Sequence, residues 1–160
     1  TALFLINFIL NILFGPIMGI FVKHFGERLA LIIEYSGLVL IFLAYSGIYL
    51  FNFGLAAACL LYILDHLFFS LAIAKKTYFQ KISEPEDIAS TTAMAFTINH
   101  IAAVFLPILL GYMWLSEPYI VFFFGAGLAF LSLNFAFMVP ANPNTDNTSV
   151  LSKISTQEFR

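Results

Sequence analysis

Charged side chains are scarce in this sequence, and their scarcity excludes most kinds of soluble protein. Asp, Glu, Lys and Arg make up 10% of the 160 residues, whereas 61% are hydrophobic and the mean hydropathy is +0.95. A soluble domain of this length needs more polar side chains to cover its surface. The net charge of −2 is too small to indicate a nucleic-acid partner. The composition therefore indicates an integral membrane protein surrounded by the lipid bilayer.

Cysteine is nearly absent, and no signal peptide is recognisable. Cys59 is the one cysteine and lies within an apolar run, which excludes a disulfide framework and a cysteine-based metal site. The chain starts with Thr1 and a long hydrophobic segment, without the basic region and small-residue cleavage site of a signal peptide. We therefore expect the sequence to begin in the middle of a longer protein.

Long apolar runs, in contrast, fill most of the chain. About 20 helical residues cross the hydrocarbon core of a bilayer, which is about 30 Å thick. The runs predict an all-α integral membrane fold, with about five transmembrane helices in a bundle formed by residues 1–140. Their predicted bounds are residues 2–22, 29–50, 54–74, 84–113 and 117–139. Residues 141–160, which follow Pro140 and include Pro143, are predicted to be a polar cytoplasmic tail without fixed structure.

The fourth and fifth predicted helices each begin at a Ser-Glu-Pro sequence. Ser83, with Glu86 three residues later, has the pattern of a capping box, and Pro85 is tolerated in the first turn of a helix. A loop over residues 77–83 is predicted to precede this helix. Residues 116–118 start the fifth helix in the same manner.

The basic residues all fall on one side of a five-helix arrangement. The connections on the other side, near Asn52 and Ser116, contain none. Because loops rich in Lys and Arg stay in the cytoplasm, we expect the basic side to be cytoplasmic in a multi-pass protein of the cell membrane. The seven basic residues are Lys23, Arg28, Lys75, Lys76, Lys81, Lys153 and Arg160.

The third predicted helix carries ionisable residues near its middle. Asp65 and His66 interrupt its apolar run, and helical spacing places Tyr62 and Ser70 on the same face as His66. Ionisable groups near the middle of a membrane are costly unless they face protein or water. This polar stripe is therefore either a set of interhelical hydrogen bonds or the lining of a path for an ion or solute. We favour the path.

Two further polar features lie within the predicted helices. Glu34 is close to the start of the second helix, where we expect it near the lipid headgroups as an ion-pair partner of Lys23 or Arg28. Asn99 and His100 lie near the middle of the fourth helix, where they form a second polar cluster.

Two classes of function fit these residues. In a proton-coupled transporter, Asp65 would take up and release a proton with His66 or His100 modulating it, because histidine titrates near neutrality. Asn99 and Tyr62 would line the path of a small solute. The alternative is a membrane enzyme, or a haem or metal protein, that uses His66 and His100 as ligands. No third strong ligand except Asp65 and no His-x-x-x-His spacing is present, so we favour transport without catalysis, metal or cofactor.

The first predicted loop carries residues similar to a family motif. The ten residues from Gly19 to Arg28 read Gly-Ile-Phe-Val-Lys-His-Phe-Gly-Glu-Arg. They resemble the G-x-x-x-D-x-x-G-R-R loop of the major facilitator superfamily. Gly19, Gly26 and Arg28 fall on motif positions, while Lys23 stands in place of the Asp and Glu27 in place of a basic residue. Glycines at these positions allow a tight turn between helices.

The resemblance implies a fold of two six-helix bundles and transport by alternating access. A motif loop followed by three more helices and a tail is similar to helices eight to twelve of that family. The chain would then form most of the C-terminal half, and the missing N-terminal helices would be its partner. By the same resemblance, the helices with Asp65 and His100 would line the cavity of a symport or antiport permease for a small solute.

Overall fold

The computed structural model describes residues 2–150, and the part of the predicted tail over 151–160 lies outside the described residues. Within residues 2–150 the chain forms six α-helices and one 3₁₀ turn, with no β-strand. Their bounds are α1 Ala2–Phe25, α2 Glu27–Phe51, α3 Leu55–Phe69, the 3₁₀ turn Ser70–Ala72, α4 Ile73–Ile82, α5 Ile88–Ser116 and α6 Pro118–Phe137.

Five of the helical spans are long and apolar enough to cross a membrane. Four of them correspond to α1, α2, α5 and α6, and the remaining one joins α3, the 3₁₀ turn and α4 over Leu55–Ile82. The prediction of an all-α chain with five helices of membrane-spanning length is confirmed, and the arrangement fits a multi-pass membrane protein.

The third span is longer than predicted, because α4 occupies residues expected to form a loop. Residues 73–82 contain neither Gly nor Pro, so no residue there interrupts the helix. The helix ends at Ser83, whose N–H donates to the Phe79 carbonyl oxygen over 3.1 Å. The predicted loop is therefore replaced by helix as far as Ile82.

The capping box predicted at Ser83 does not form, and α5 begins later, at Ile88. Residues 84–87 make a turn in which the Asp87 N–H donates to the Glu84 carbonyl oxygen over 3.0 Å. Pro85 lies in this turn and has no N–H to continue a helix. By contrast, α6 starts with Pro118 in its first turn, as the second Ser-Glu-Pro sequence predicts.

The helices pack around α2, which lies along α6 and also contacts α3 and α4. Ala30 and Ala74 have no exposed surface, and such small side chains let helices approach closely in a membrane. The core residues where α1, α2, α4 and α6 meet are Val22, Ala30, Leu31, Leu71, Ala74, Ala136 and Val139. In contrast, α5 contains no buried residue and packs chiefly against α6.

The two ends of the bundle differ in their turns and side chains. At one end, Gly26 joins α1 to α2 with a φ of 86°, and the Ala141 carbonyl oxygen lies beside it. At the other end, Asn52 ends α2 in the left-handed conformation with a φ of 55°. There the rings of Tyr49 and Trp114 meet edge to face at 5.8 Å. The basic connections and the start of the predicted tail therefore share one end, and an aromatic cluster marks the other.

Residues 138–150, which we call the C-terminal segment and which include the start of the predicted tail, contact the bundle. The Tyr78 hydroxyl on α4 donates to the Thr148 carbonyl oxygen. The Val150 N–H donates to the Met138 carbonyl oxygen over 2.9 Å, and Pro140 and Pro143 are buried. The polar composition of this segment concealed these contacts, because turns and prolines are equally typical of ordered and unordered chain.

Candidate functional site

The side chains of Asp65 and His66 lie within ion-pair distance of each other on α3, in a helical span long enough to cross a membrane. The His66 Nδ1 atom lies 3.4 Å from Asp65 Oδ2, and the exposed fractions of the two side chains are 35% and 27%, respectively. The same nitrogen is 3.1 Å from the Tyr62 carbonyl oxygen, and the Tyr62 and His66 rings are 4.5 Å apart. Both side chains therefore keep surface that the other described residues do not cover.

A small cavity with a largely apolar surface adjoins this pair between α1 and α3. It has a volume of about 10 Å³, and its lining includes Asn7, Asn11, His66 and Ser70. Asn7 is only 4% exposed, and its side-chain nitrogen and oxygen have no hydrogen-bond partner among residues 2–150. A buried amide without partners is costly, so Asn7 is a polar residue that the packing of this chain leaves unexplained. The sequence indicated a polar edge on α1 only by the spacing of Asn7 and Asn11.

Asn99 and His100 are exposed on α5, away from the Asp65–His66 pair. The His100 Nδ1 atom lies 2.9 Å from the Phe96 carbonyl oxygen, and the two rings are 3.8 Å apart. Because α5 packs chiefly against α6, whereas α3 packs against α1 and α2, the structure does not join the two predicted polar clusters. In the described part of the chain, no three His, Cys, Asp or Glu side chains come together as metal ligands.

Glu34 is completely buried and pairs with Lys75, which corrects the expected pairing with Lys23 or Arg28. The Lys75 Nζ atom is 3.2 Å from Glu34 Oε1, and it lies 5.5 Å from the centre of the Tyr35 ring. The Glu34 side chain has 0% exposure, so it is enclosed by the neighbouring helices. The physical reason is that α4 packs along α2, which brings Lys75 to Glu34.

A second ion pair joins the same two helices nearer their ends. The Lys81 Nζ atom is 2.6 Å from Oε1 of Glu27, whose side chain is only 3% exposed. Glu27 and Glu34 are two helical turns apart on α2, and Lys75 and Lys81 have nearly the same spacing on the antiparallel α4. This match of spacings was the signal in the sequence that could have predicted both pairs.

The residues of the loop motif have separate places in the structure. Gly26 makes the turn between α1 and α2, as expected of a motif glycine, whereas a side chain added at Gly19 would meet no atom within 4 Å. Lys23 is exposed and Arg28 half-buried, and neither forms an ion pair with any residue of the described range. Within the motif, therefore, Gly26 supplies the turn and Glu27 supplies a charge contact, with Lys81.

Comparison with protein-family models, with curated proteins and with solved structures found no match for this chain.

Proposed function

We propose that this chain is part of a secondary active transporter, which moves a small solute across the membrane by alternating access with protons as the coupling ion. The observation that carries this proposal is the Asp65–His66 pair. It lies within a spanning helix, and about a third of each side chain is accessible. An ionisable pair is costly at that depth and is typical of proton and solute pathways.

Exposed polar side chains on α5 and α6 support the proposal that further helices pack against this bundle. Asn99 and His100 on α5 and Asn134 on α6 are exposed, although α5 and α6 are apolar enough to span a membrane. Lipid tails offer these side chains no hydrogen bonds. Further helices against α5 and α6 would cover them, as in the two-bundle architecture of the major facilitator superfamily, which the loop motif resembles. The chain would then form about helices eight to twelve of such a transporter.

Transport is favoured over a haem or metal centre held by histidines. His66 and His100 stand on helices without a substantial interface, and each ring contacts an aromatic ring of its own helix. Within residues 2–150, His66 and His100 therefore do not come together as two ligands of one haem or metal ion, which supports transport over that alternative.

The orientation of the proposed transporter follows from its basic end. The Glu27–Lys81 pair and the contact of Gly26 with Ala141 place the first turn, the end of α4 and the C-terminal segment together. The rule that basic loops stay in the cytoplasm makes this end cytoplasmic and the turn at Asn52 external, in a multi-pass protein of the cell membrane.

Thiol labelling tests this orientation. In a Cys59→Ser background, Asn52→Cys should react with a membrane-impermeant maleimide added outside intact cells. Asp146→Cys should react only after the cells are opened, and Glu84→Cys is the matched control for the same side. Labelling of positions 52 and 146 from one face would contradict the proposed topology.

Uptake into membrane vesicles tests transport itself. The chain is expressed in its natural context, and a panel of radiolabelled sugars, amino acids and organic ions is screened for accumulation driven by a pH gradient. Asp65→Asn should abolish accumulation because the amide cannot bind and release a proton, while solute exchange at equilibrium persists. Asp146→Asn, which changes an exposed acid of the C-terminal segment, is the control. Normal accumulation in Asp65→Asn would remove Asp65 from the mechanism.

A further inference from the structure

A second candidate binding site lies on the other side of α2, away from the Asp65–His66 pair. It is a cavity of about 490 Å³ between α2, α4, α6 and the C-terminal segment. A volume of this size is typical of small-molecule sites. Nothing in the proposed transport mechanism uses it.

Lys75 is the one charged side chain that lines this cavity within the described residues. Its side chain is 45% exposed, and its ammonium donates one hydrogen bond, to Glu34. An ammonium has three N–H donors, so Lys75 has donors left for a ligand. The Glu34 carboxylate itself is completely buried and does not line the cavity, so a ligand meets the cation and not the acid.

The remaining walls are largely apolar. Leu31 of α2, Phe135 of α6 and Val139 of the C-terminal segment line the cavity, together with the polar side chains of Tyr78 and Ser132. The hydrogen bond from Tyr78 to the Thr148 carbonyl oxygen holds the C-terminal segment in place beside the cavity. One cation beside apolar walls matches a ligand that has an anionic head and a hydrocarbon body.

The place of Lys75 in the bundle fits such a ligand as well. Lys75 lies seven residues before the end of α4 at Ile82, which corresponds to about 10 Å along the helix, on the side of the basic connections. Basic pockets between membrane helices bind anionic lipid headgroups.

We infer that this cavity binds an anionic amphiphile, with its carboxylate or phosphate on the Lys75 ammonium and its hydrocarbon body against Leu31, Phe135 and Val139. The ligand competes with the Glu34 carboxylate for the same ammonium. Removing the acid therefore strengthens binding, and removing both charges weakens it. This inference does not depend on the proposed transport function, because it concerns an equilibrium binding site.

Radiolabelled dodecanoate is the probe, at concentrations below its micelle formation, with the purified full chain in a non-ionic detergent. Glu34→Gln should bind it several-fold more tightly than the unchanged chain. The double variant Glu34→Gln/Lys75→Met should bind it at least tenfold more weakly. The double variant Glu27→Gln/Lys81→Met is the matched control, since it removes the ion pair on the same helices that lies outside the cavity, and its affinity should stay within twofold.

Two further measurements distinguish binding within the cavity from non-specific attraction to the lysine charge. Ser132→Phe fills the α6 wall while keeping the Glu34–Lys75 pair, and it should weaken dodecanoate binding about as much as the loss of both charges. Methyl dodecanoate, which has the same chain length and no charge, should bind equally weakly to all variants. Equal dodecanoate affinities in Glu34→Gln, Glu34→Gln/Lys75→Met and the unchanged chain would overturn the inference, because partition into the micelle would then explain the binding.

The source of the amphiphile is decided by competition. If phosphatidylglycerol displaces dodecanoate and phosphatidylcholine does not, the ligand is an anionic membrane lipid. Displacement by soluble benzoate at low concentration would instead identify an organic anion from solution. Displacement by phosphatidylcholine as strongly as by phosphatidylglycerol would contradict a site that recognises negative charge.

Discussion

Glu34 and Asp65 are both acids within membrane-spanning helices, but their surroundings differ. Glu34 is completely buried and pairs with Lys75 of another helix, whereas Asp65 is 27% exposed and pairs with His66, its neighbour in the same helix. The buried Glu34 carboxylate needs the Lys75 charge, because without it the carboxylate would have neither water nor a counter-ion. A partly exposed pair within one helix holds no helices together. Burial and the position of the partner therefore separate an acid that joins two helices from an acid paired within its own helix.

Removing Lys75 should have the largest effect on stability. Lys75→Met leaves the Glu34 carboxylate buried without a counter-ion, and the free energy of unfolding should fall by about 3–5 kcal/mol. Unfolding in mixed micelles of increasing SDS fraction measures this change. Lys76→Met, at an exposed neighbour that forms no ion pair in the described part of the chain, should change it little.

Adding Glu34→Gln to Lys75→Met tests whether the unpaired carboxylate causes this loss of stability. Combined with Lys75→Met, it removes the unpaired charge and should restore most of the lost stability. If the double variant were as unstable as Lys75→Met alone, the loss would come from packing of the lysine chain and not from the unpaired carboxylate.

Adding a methyl group at Gly37 should have the next largest effect. A Cβ atom there would overlap the ring of Phe68, which lies on α3 between His66 and the 3₁₀ turn. Gly37→Ala should therefore push α3 from α2 and lower the free energy of unfolding by about 1–3 kcal/mol. Gly127→Ala on α6, where the added atom meets nothing within 4 Å, should be neutral or slightly stabilising. Equal behaviour of the two variants would show that α2 and α3 do not pack closely at Gly37.

Substitution of Asn7 should stabilise the protein, in contrast to the Lys75 and Gly37 variants. Its buried amide has no partner within residues 2–150, so Asn7→Leu should raise the free energy of unfolding by about 1 kcal/mol. Asn11→Leu is the matched control one turn away. Unlike the Asn7 side chain, the Asn11 side-chain amide has a partner, because it donates to the main-chain carbonyl oxygen of Asn7 over 3.0 Å. A loss of stability in Asn7→Leu would mean that the amide is hydrogen-bonded in the assembled protein.

Neutralising Asp65 should have the smallest effect on stability. The pair with His66 is partly exposed and lies within one helix, so Asp65→Asn should change the free energy of unfolding by less than about 1 kcal/mol. The same SDS titration measures it, beside the Lys75→Met variant. A loss as large as that of Lys75→Met would show that Asp65 also joins helices, and the contrast between the two acids would disappear.

The sequence by itself determined the helical class and the number of spans. Apolar runs of membrane length can satisfy their backbone only as helices in lipid, so composition and length were sufficient. Helical spacing also predicted the contact of Tyr62 with His66, because residues four apart on a helix are neighbours whatever surrounds them. Pro118 and Gly26 predicted a helix start and a tight turn for equally local reasons.

Only the tertiary structure decided which polar residues contact one another and which are buried. Lys75 and Glu34 are 41 residues apart, and their pairing depends on α4 packing antiparallel to α2. The folding of the C-terminal segment onto Tyr78 and the separation of His100 from Asp65 depend in the same way on how the helices pack. Local spacing sets the contacts within a helix, but contacts between helices depend on register and on small residues such as Ala30 and Ala74, which let α2 and α4 come close enough for the two ion pairs to form.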